Sequence, residues 1–462
     1  MAQRWFSIER VSLAAVAAIT LWQVLVPPYV GLADNSDFGK IAGRFSLRPP
    51  GGVFEHHFVY VVGKYVYDPK AGWNSGILSS ELIPAGLAVA AHWMWDRRSW
   101  FDIRYLGVMH AAAVVLALWL ALPALARLEW RVRAVVCVLV VVTLTDVSYV
   151  SYWNSFYMDA AALAFLILVA ACGARMAAAP TTANTVLFGV ALVLFTGSKL
   201  QHALPALVFC VYLAWVRKGA AARAFAVAGA AAAVVLALTS PFFYREKAVF
   251  NLVFYEFAAK APDPRAALLE MGFSERHAVA LGMHAFEDRF PANDPGWLEE
   301  FDTHVRFRPV VWYYVRHPAQ VMRRLGTVMA ENVVELRAPN LSNYRAEDGL
   351  PPGTLSRRWS LWSAVHERLF GAAPYAVWSI YAAAVWVALV IRRQFRAGCS
   401  LMLAFAAFGV AEFLGASLGD VLDTGRHLRL FHAASDFLLL GVAAFVANWS
   451  RCLIRSQRLP SV

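Results

Sequence analysis

Apolar segments of about twenty residues recur along the whole chain, and nothing else in the sequence restricts its fold so tightly. Twenty helical residues rise about 30 Å, the thickness of a bilayer's hydrocarbon core. In that medium every backbone N–H and C=O must find a partner inside its own segment, which favours helices packed side by side. Ten such segments can be drawn: 11–32, 104–125, 135–150, 157–178, 184–198, 203–216, 224–243, 372–391, 398–418 and 430–449. They imply an all-α polytopic membrane protein with about ten transmembrane helices. Composition agrees, since 60% of the 462 residues are hydrophobic and only 16% are charged, too few for a water-soluble surface of this size. The first segment lacks a small-residue cleavage site and is expected to be a retained helix rather than a removed leader.

The net charge of +11 suggests nucleic acid at first sight. Its distribution argues against that partner, because the arginines gather in short loops between apolar runs, as the positive-inside bias requires. Arg4 and Arg10 precede the first segment, and "RLEWRVR", "RKGAAAR", "RRQFR" and "RCLIRSQR" follow later ones. Assigning all of these to the cytoplasm gives an unbroken alternation with both termini inside. The expected location is a bacterial inner membrane. Residues 77–95 would invert everything downstream if they crossed, so they are expected to form an interfacial helix, with Trp93 and Trp95 in the headgroup zone. Three parts follow: a membrane domain over 1–243 with about seven helices and a first outer loop at 33–103, a mostly helical periplasmic domain over 244–371, and a C-terminal membrane domain over 372–462 with about three helices. The five cysteines fall in apolar runs or at their ends and show neither a disulfide framework nor zinc-ligand spacing.

The alternation delivers four polar segments to the outer side: "DNSDFGK", "SYWNSFYMD", "TGSKLQH" and "DTGRHLR". They carry Asp34, Asp37, Asp159 and Asp423, the cations Lys199, Arg426 and Arg429, and the hydrogen-bonding Asn154, Tyr157, Gln201, His202 and His427. Transfer of a sugar from a lipid phosphate needs these ingredients. A carboxylate takes the acceptor's proton, for which Asp37, or less favourably Asp34, is placed. Cations or a metal neutralise the leaving phosphate, a task suited to Lys199, Arg426 and His427. No Walker loop or dinucleotide fingerprint is present. Taken singly, each residue also has a plainer reading: acids cap helices, Lys199 snorkels to the interface, and Arg426 and His427 pair with Asp423. Glu412 and Asp146 lie within apolar segments, where a carboxylate is either functional or protonated and hydrogen-bonded.

"DNSDF", "YWNSFYMDAAA", "GSKLQHALPAL" and "DTGRHLRLFHAASD" together resemble the WsfD-like bacterial glycan-biosynthesis hexose transferases, within the GT-C class of membrane glycosyltransferases. The likeness continues through "PDPRAALLEMGFS", "YYVRHPAQ" and "APNLSNYRAEDGLPPG". It implies a GT-C-like fold, a polyprenyl-phosphate-linked sugar donor, a glycan or lipid acceptor, and inverting hexosyl transfer. The base in the first outer loop would then be Asp37, with Asp34 second. Where the family more often carries glycine before the second loop acid, this chain has Ser36. The resemblance leaves a divalent cation (Mg or Mn) open and assigns no ligands to it. The alternative from another class is a transporter or flippase for a lipid-linked saccharide, which would need polar residues in both leaflets; a non-catalytic scaffold is a third.

Overall fold

A computed structural model describes residues 7–456 apart from 53–54, 70–75, 97, 288–293 and 420, with side chains described as far as 448. Arg4, the side chains of "RCLIRSQR" and the "PAN" of residues 291–293 lie outside the described residues. The protein is an all-α polytopic membrane protein. Among the described residues, seven helices are long and apolar enough to cross a membrane: Ile8–Leu25, Arg104–Leu125, Met158–Ala178, Ala220–Thr239, Pro374–Ile391, Arg396–Leu418 and Thr424–Asn448. Shorter helices at Trp130–Leu144, Thr182–Thr196 and Leu200–Val216 fill the other three expected positions.

The Met158–Ala178 helix is the most enclosed, with 72% of its apolar window buried inside the protein. Its first turns, "MDAAALA", explain why. Alanine at 160, 161, 162 and 164 lets neighbouring backbones approach, as small residues do between membrane helices. Around this axis the bundle has two chemically distinct ends. At one, Arg133 pairs with Glu9 at 2.5 Å and Arg175 donates to Asn184 at 2.7 Å. At the other lie residues 34–40, 157–159, 199–202 and 423–427.

Two local expectations are corrected. The first helix ends at Leu25 rather than residue 32, because Pro27 and Pro28 remove N–H donors and cannot continue a helix. Residues 30–34 instead run extended through the protein. Gly31 N donates to Asn343 O (3.1 Å), and Ala33 N to Ser342 O (2.9 Å). The segment between the first helix and Arg104–Leu125 also holds a small antiparallel sheet, β1 (Leu47–Arg48), β2 (Lys64–Tyr67) and β3 (Trp100–Asp102), with Leu47 opposite Tyr67 and Lys64 opposite Asp102.

The 77–95 segment forms the helix Leu82–Trp95. Both its ends meet the same end of the Arg104–Leu125 helix: Glu81 pairs with His110 at 3.0 Å, and the His92 ring lies 5.5 Å from that of Tyr105. It therefore lies along the end of the bundle and does not run through it. Residues 249–321 contain short helices around a second core that includes Phe254, Phe273, Trp297, Phe301 and Tyr313. Val328, Val333, Leu336, Leu341, Trp362 and Phe370 pack instead into the core of the bundle itself, so the expected 244–371 unit is divided between the two cores. The second core is fastened to the bundle where Tyr314 Oη donates to Leu418 O (2.9 Å) and Arg324 Nε to Ser417 O (3.2 Å).

Candidate active site

The extended run after Pro28 fixes where the two early aspartates go. Asp34 is almost fully buried, and its Oδ1 accepts from Phe38 N at 3.1 Å, closing a tight turn. Ser36 makes that turn in the left-handed region, at φ 84°. Three residues on, Asp37 points to the rim, where its side chain keeps 21% exposure and pairs with Lys40. The two carboxyl groups titrate in opposite directions. Burial, with help from the nearby charge of Asp37, pushes Asp34 up to about 7. Burial opposes the charge on Asp37 too, but Lys40, Arg426 and Lys199 outweigh it and hold that carboxyl below the ordinary range. Burial also lowers Lys40, against the pull of Asp37.

Arg426 is the hub. Its Nη2 lies 3.1 Å from Asp37 Oδ2, its Nη1 3.1 Å from Asp159 Oδ2, and its Nε 2.6 Å from Asp423 Oδ2. A planar guanidinium spreads five donors in a fixed fork and so reaches three separate carboxylates at once, where a lysine ammonium gathers its three donors on one atom. Its face rests 4.7 Å from the ring centre of Tyr157. Tyr157 in turn locks the early loop, donating to Ala33 O (2.9 Å) and accepting from Asn35 N (3.0 Å). Asn35 Nδ2 donates to Asp423 Oδ2 at 3.0 Å, so the loops meet directly.

Asp159 sits in the first turn of its helix, where the macrodipole favours an anion. Lys199 Nζ donates to both of its oxygens, at 2.9 and 3.0 Å. His202 lies one turn further along and bridges inward: Nε2 is 3.5 Å from Asp159 Oδ1, and Nδ1 is 2.9 Å from Glu412 Oε2. A continuous polar chain thus runs from the exposed rim to a carboxylate inside the bundle. Gln201 Nε2 donates to His427 O at 3.1 Å and ties the last segment to this helix. His427 Nε2 faces Arg426 Nη2 at 3.3 Å.

Of the residues singled out in the sequence, Asp37, Asp159, Lys199, Asp423, Arg426 and His427 come together, with Tyr157 and Gln201 supporting them. Asp34 stands one turn away, behind Asp37. Asn154 does not join. Its Nδ2 donates to Val24 O (3.0 Å) and Val30 O (2.8 Å), pinning the chain that leaves the first helix. Only glycine at 107 permits this, since a Cβ there would lie 2.0 Å from Asn154 Oδ1. Arg429 is also elsewhere, over the rings of Tyr149 and Tyr152. Three carboxylates and three cations therefore neutralise one another. Among the described residues, no group of three His, Cys, Asp or Glu side chains is arranged to hold a metal ion; Arg426 occupies the space between the carboxylates. The donor set does not fit a metal.

The description of the YfdI N-terminal transmembrane domain matches residues 2–460. The chain belongs to that family. The match takes in the bundle and the region of short helices together. Among solved structures the chain is similar to the apo oligosaccharyltransferase of Archaeoglobus fulgidus, at 11% identity and a TM-score of 0.42, over 97% of this chain and 51% of that one. It spans about half the length of that protein. No curated protein sequence matches.

In this YfdI-type chain, sequence reasoning missed Lys40 as a site residue, although it stands three positions after Asp37 in the same "DFGK". It also missed the link from His202 to Glu412, which joins positions 210 apart in the chain. The Glu81–His110 pair was missed as well. It is fully buried and supports the site from behind, with Glu81 Oε2 accepting from Ala161 N at 3.0 Å.

Proposed function

We propose that this chain is a membrane glycosyltransferase of the GT-C kind, similar to the WsfD-like hexose transferases, which moves a sugar from a polyprenyl-phosphate donor to a glycan or lipid acceptor. The observation that carries this reading is the bridging of Asp37, Asp159 and Asp423 by Arg426, with Lys40 and Lys199 alongside. Such a cluster is neutral at rest and holds a surplus of donors. A phosphate entering it replaces carboxylates as the partner of Lys40, Lys199 and Arg426 through charge-assisted hydrogen bonds. Asp37 is thereby released from its cations, and its basicity rises when the donor is in place.

The reaction is a single displacement. The acceptor hydroxyl oxygen forms a bond to the anomeric carbon as the bond from that carbon to the phosphate oxygen breaks. Asp37 receives the hydroxyl proton, and the polyprenyl phosphate leaves with the bonding pair, its charge held by the three cations. The configuration at the anomeric carbon inverts. Asp37 is preferred over Asp34 because it is the most exposed of these carboxylates and so the one an acceptor can reach. The basic end of the bundle, with Arg127, Arg133 and Arg175, supports a cytoplasmic position for that end. The site then faces the periplasm of an inner membrane, beneath the outer domain of residues 244–371.

The test is Asp37→Asn in proteoliposomes supplied with a short-chain polyprenyl-phosphate sugar. Transfer should fall by roughly 10²–10⁴, with the unfolding temperature within a few degrees of the parent. Transfer retained in that variant removes Asp37 from the mechanism.

A further inference from the structure

The outer region carries an apolar stripe that its own core does not cover. In the helix Phe307–Arg316, Val310 and Tyr313 are buried against the second core, while Phe307, Val311, Trp312 and Val315 are exposed, Val315 by 63%. These positions recur at helical spacing and form one face. Met322, 65% exposed, stands on the next helix, Pro318–Asn332. Arginines border the stripe: Arg306, Arg308 and Arg323 are exposed, and Arg316 reaches Glu270 at 3.3 Å. A recess of about 330 Å³ opens beside Arg308, Trp312 and Arg316. An apolar face with a basic border suits the boundary of an anionic bilayer.

Position makes the same case. Tyr314, on this helix, bonds to Leu418 O, the last residue of a membrane-crossing helix, and Arg324, on the next, bonds to Ser417 O. Leu414 and Val410, one and two turns back along the crossing helix, are exposed apolar residues on the surface of the bundle. The stripe is therefore anchored where that apolar surface of the bundle ends.

We propose that the Phe307–Arg316 helix and the start of Pro318–Asn332 lie in the headgroup layer of the membrane. Their apolar stripe enters the acyl boundary, and Arg306, Arg308 and Arg323 hold anionic phospholipid phosphates. The outer domain is thus fixed to the bilayer as well as to the bundle. This does not rest on the transferase reading.

The test places a nitroxide at Val315→Cys, in a chain whose five cysteines are replaced by alanine, reconstituted in nanodiscs of phosphatidylglycerol and phosphatidylcholine. The exposed Thr303→Cys serves as the aqueous control. Accessibility to oxygen above that to a water-soluble nickel chelate at 315, and the reverse at 303, is the expected result. Nickel access at 315 equal to that at 303 overturns the proposal, and so does protection from both reagents, which means that protein covers the stripe. If the cysteine-free chain does not fold, hydroxyl-radical labelling of the unaltered protein in the same nanodiscs replaces it: Met322 and Trp312 must be protected relative to the reactivity their exposed areas give, while Phe286, 68% exposed, must not be. Changing Arg306, Arg308 and Arg323 together to glutamine should lower retention of phosphatidylglycerol over phosphatidylcholine by about fivefold per charge. Unchanged retention overturns the anionic part of the proposal.

Discussion

Arg426 and Arg429 stand three residues apart at the same end of the bundle, yet they build opposite environments. Arg426 touches three carboxylates, one of them at the rim. Arg429 is fully buried, makes no ion pair with a carboxylate among the described residues, and lies 5.3 and 5.0 Å from the ring centres of Tyr149 and Tyr152. It donates to Leu336 O, while its Nε and Nη1 have no hydrogen-bond partner among the described residues. Asp436, on the same helix, is taken by Tyr149 Oη (2.6 Å) and Trp362 Nε1 (3.0 Å). The second cluster joins the end of the bundle to residues 336–362 with aromatic walls. Burial of charge alone does not make a site. What distinguishes the Arg426 cluster is an excess of exchangeable partners at a solvent edge, so that a ligand can replace one without leaving another bare.

The largest effects should separate the two arginines. Arg426→Lys keeps the charge but removes the fork that reaches three acids, and transfer should fall about 100-fold or more. Arg429→Lys should lower the unfolding temperature by several degrees, while turnover per folded molecule stays within about threefold of the parent. Turnover and thermal scans on both variants break the comparison if Arg429→Lys loses as much activity. Next comes Glu412→Gln. Removing one partner of a buried pair costs about 3–5 kcal/mol, and His202 would then orient Asp159 and Lys199 less firmly. A rise of about tenfold in the KM for the lipid-phosphate donor, larger than the fall in kcat, is the expected signature. A drop in stability with unaltered kinetics assigns the His202–Glu412 link to the second, purely structural kind of cluster.

Much of the fold and part of the site are legible in the sequence, but this contrast is not. The bias of arginines to one side of the spans orders ten segments, and that order alone delivers Asp37, Asp159, Lys199 and Arg426 to one end. Apolar length marked the helices well; Arg104–Leu125 has the bounds expected of it. The misses have local causes. "VPPYV" ends the first helix at residue 25, but the apolar residues around the prolines extended the run to 32. Strands of two to four residues carry too little alternation to stand out from a loop. Asn154 has the same chemistry in a site as in a backbone clamp, and only the close approach at Gly107 tells which. Lys40, next to an acid, reads as a solvated charge until its burial is known. Which of Arg426 and Arg429 meets the acids depends on helix phase near a short turn, Thr424–His427, that periodicity does not resolve.

The same contrast recurs on a smaller scale between the two aspartates of the opening loop, and pH can read it. Asp34 is held near 7 by burial, against an ordinary value of 3.8. Between those values the folded chain keeps a proton that the unfolded chain releases. Its neutral form therefore stabilises the fold in acid, and that contribution, at most about 4 kcal/mol, is lost as pH rises through 7. Asp37 has the opposite sign: its ion pairs stabilise the fold above the ordinary carboxylate range, and the gain is lost as pH falls below it. Asp34→Asn should flatten the decline in unfolding temperature between about pH 4 and 7, while Asp37→Asn should leave that decline in place. An unchanged slope in the Asp34 variant means that some other group titrates there.

The smallest effect expected is at the hinge between these aspartates. Ser36 holds a left-handed conformation at φ 84°, which costs an L-residue about 1–2 kcal/mol. Glycine removes that strain but brings about 0.5–1 kcal/mol of extra chain entropy to the unfolded state. Its Oγ contact with His57 Nδ1, at 3.4 Å on an exposed edge, adds little to the balance. Ser36→Gly should therefore stabilise the chain by roughly 0.5 kcal/mol, a shift of about a degree in a thermal scan. The Asp34 turn and the placement of Asp37 stay as they are, so transfer should not change. A loss of transfer with gained stability would mean that the serine side chain, rather than the backbone turn it occupies, sets the distance from Asp37 to Arg426.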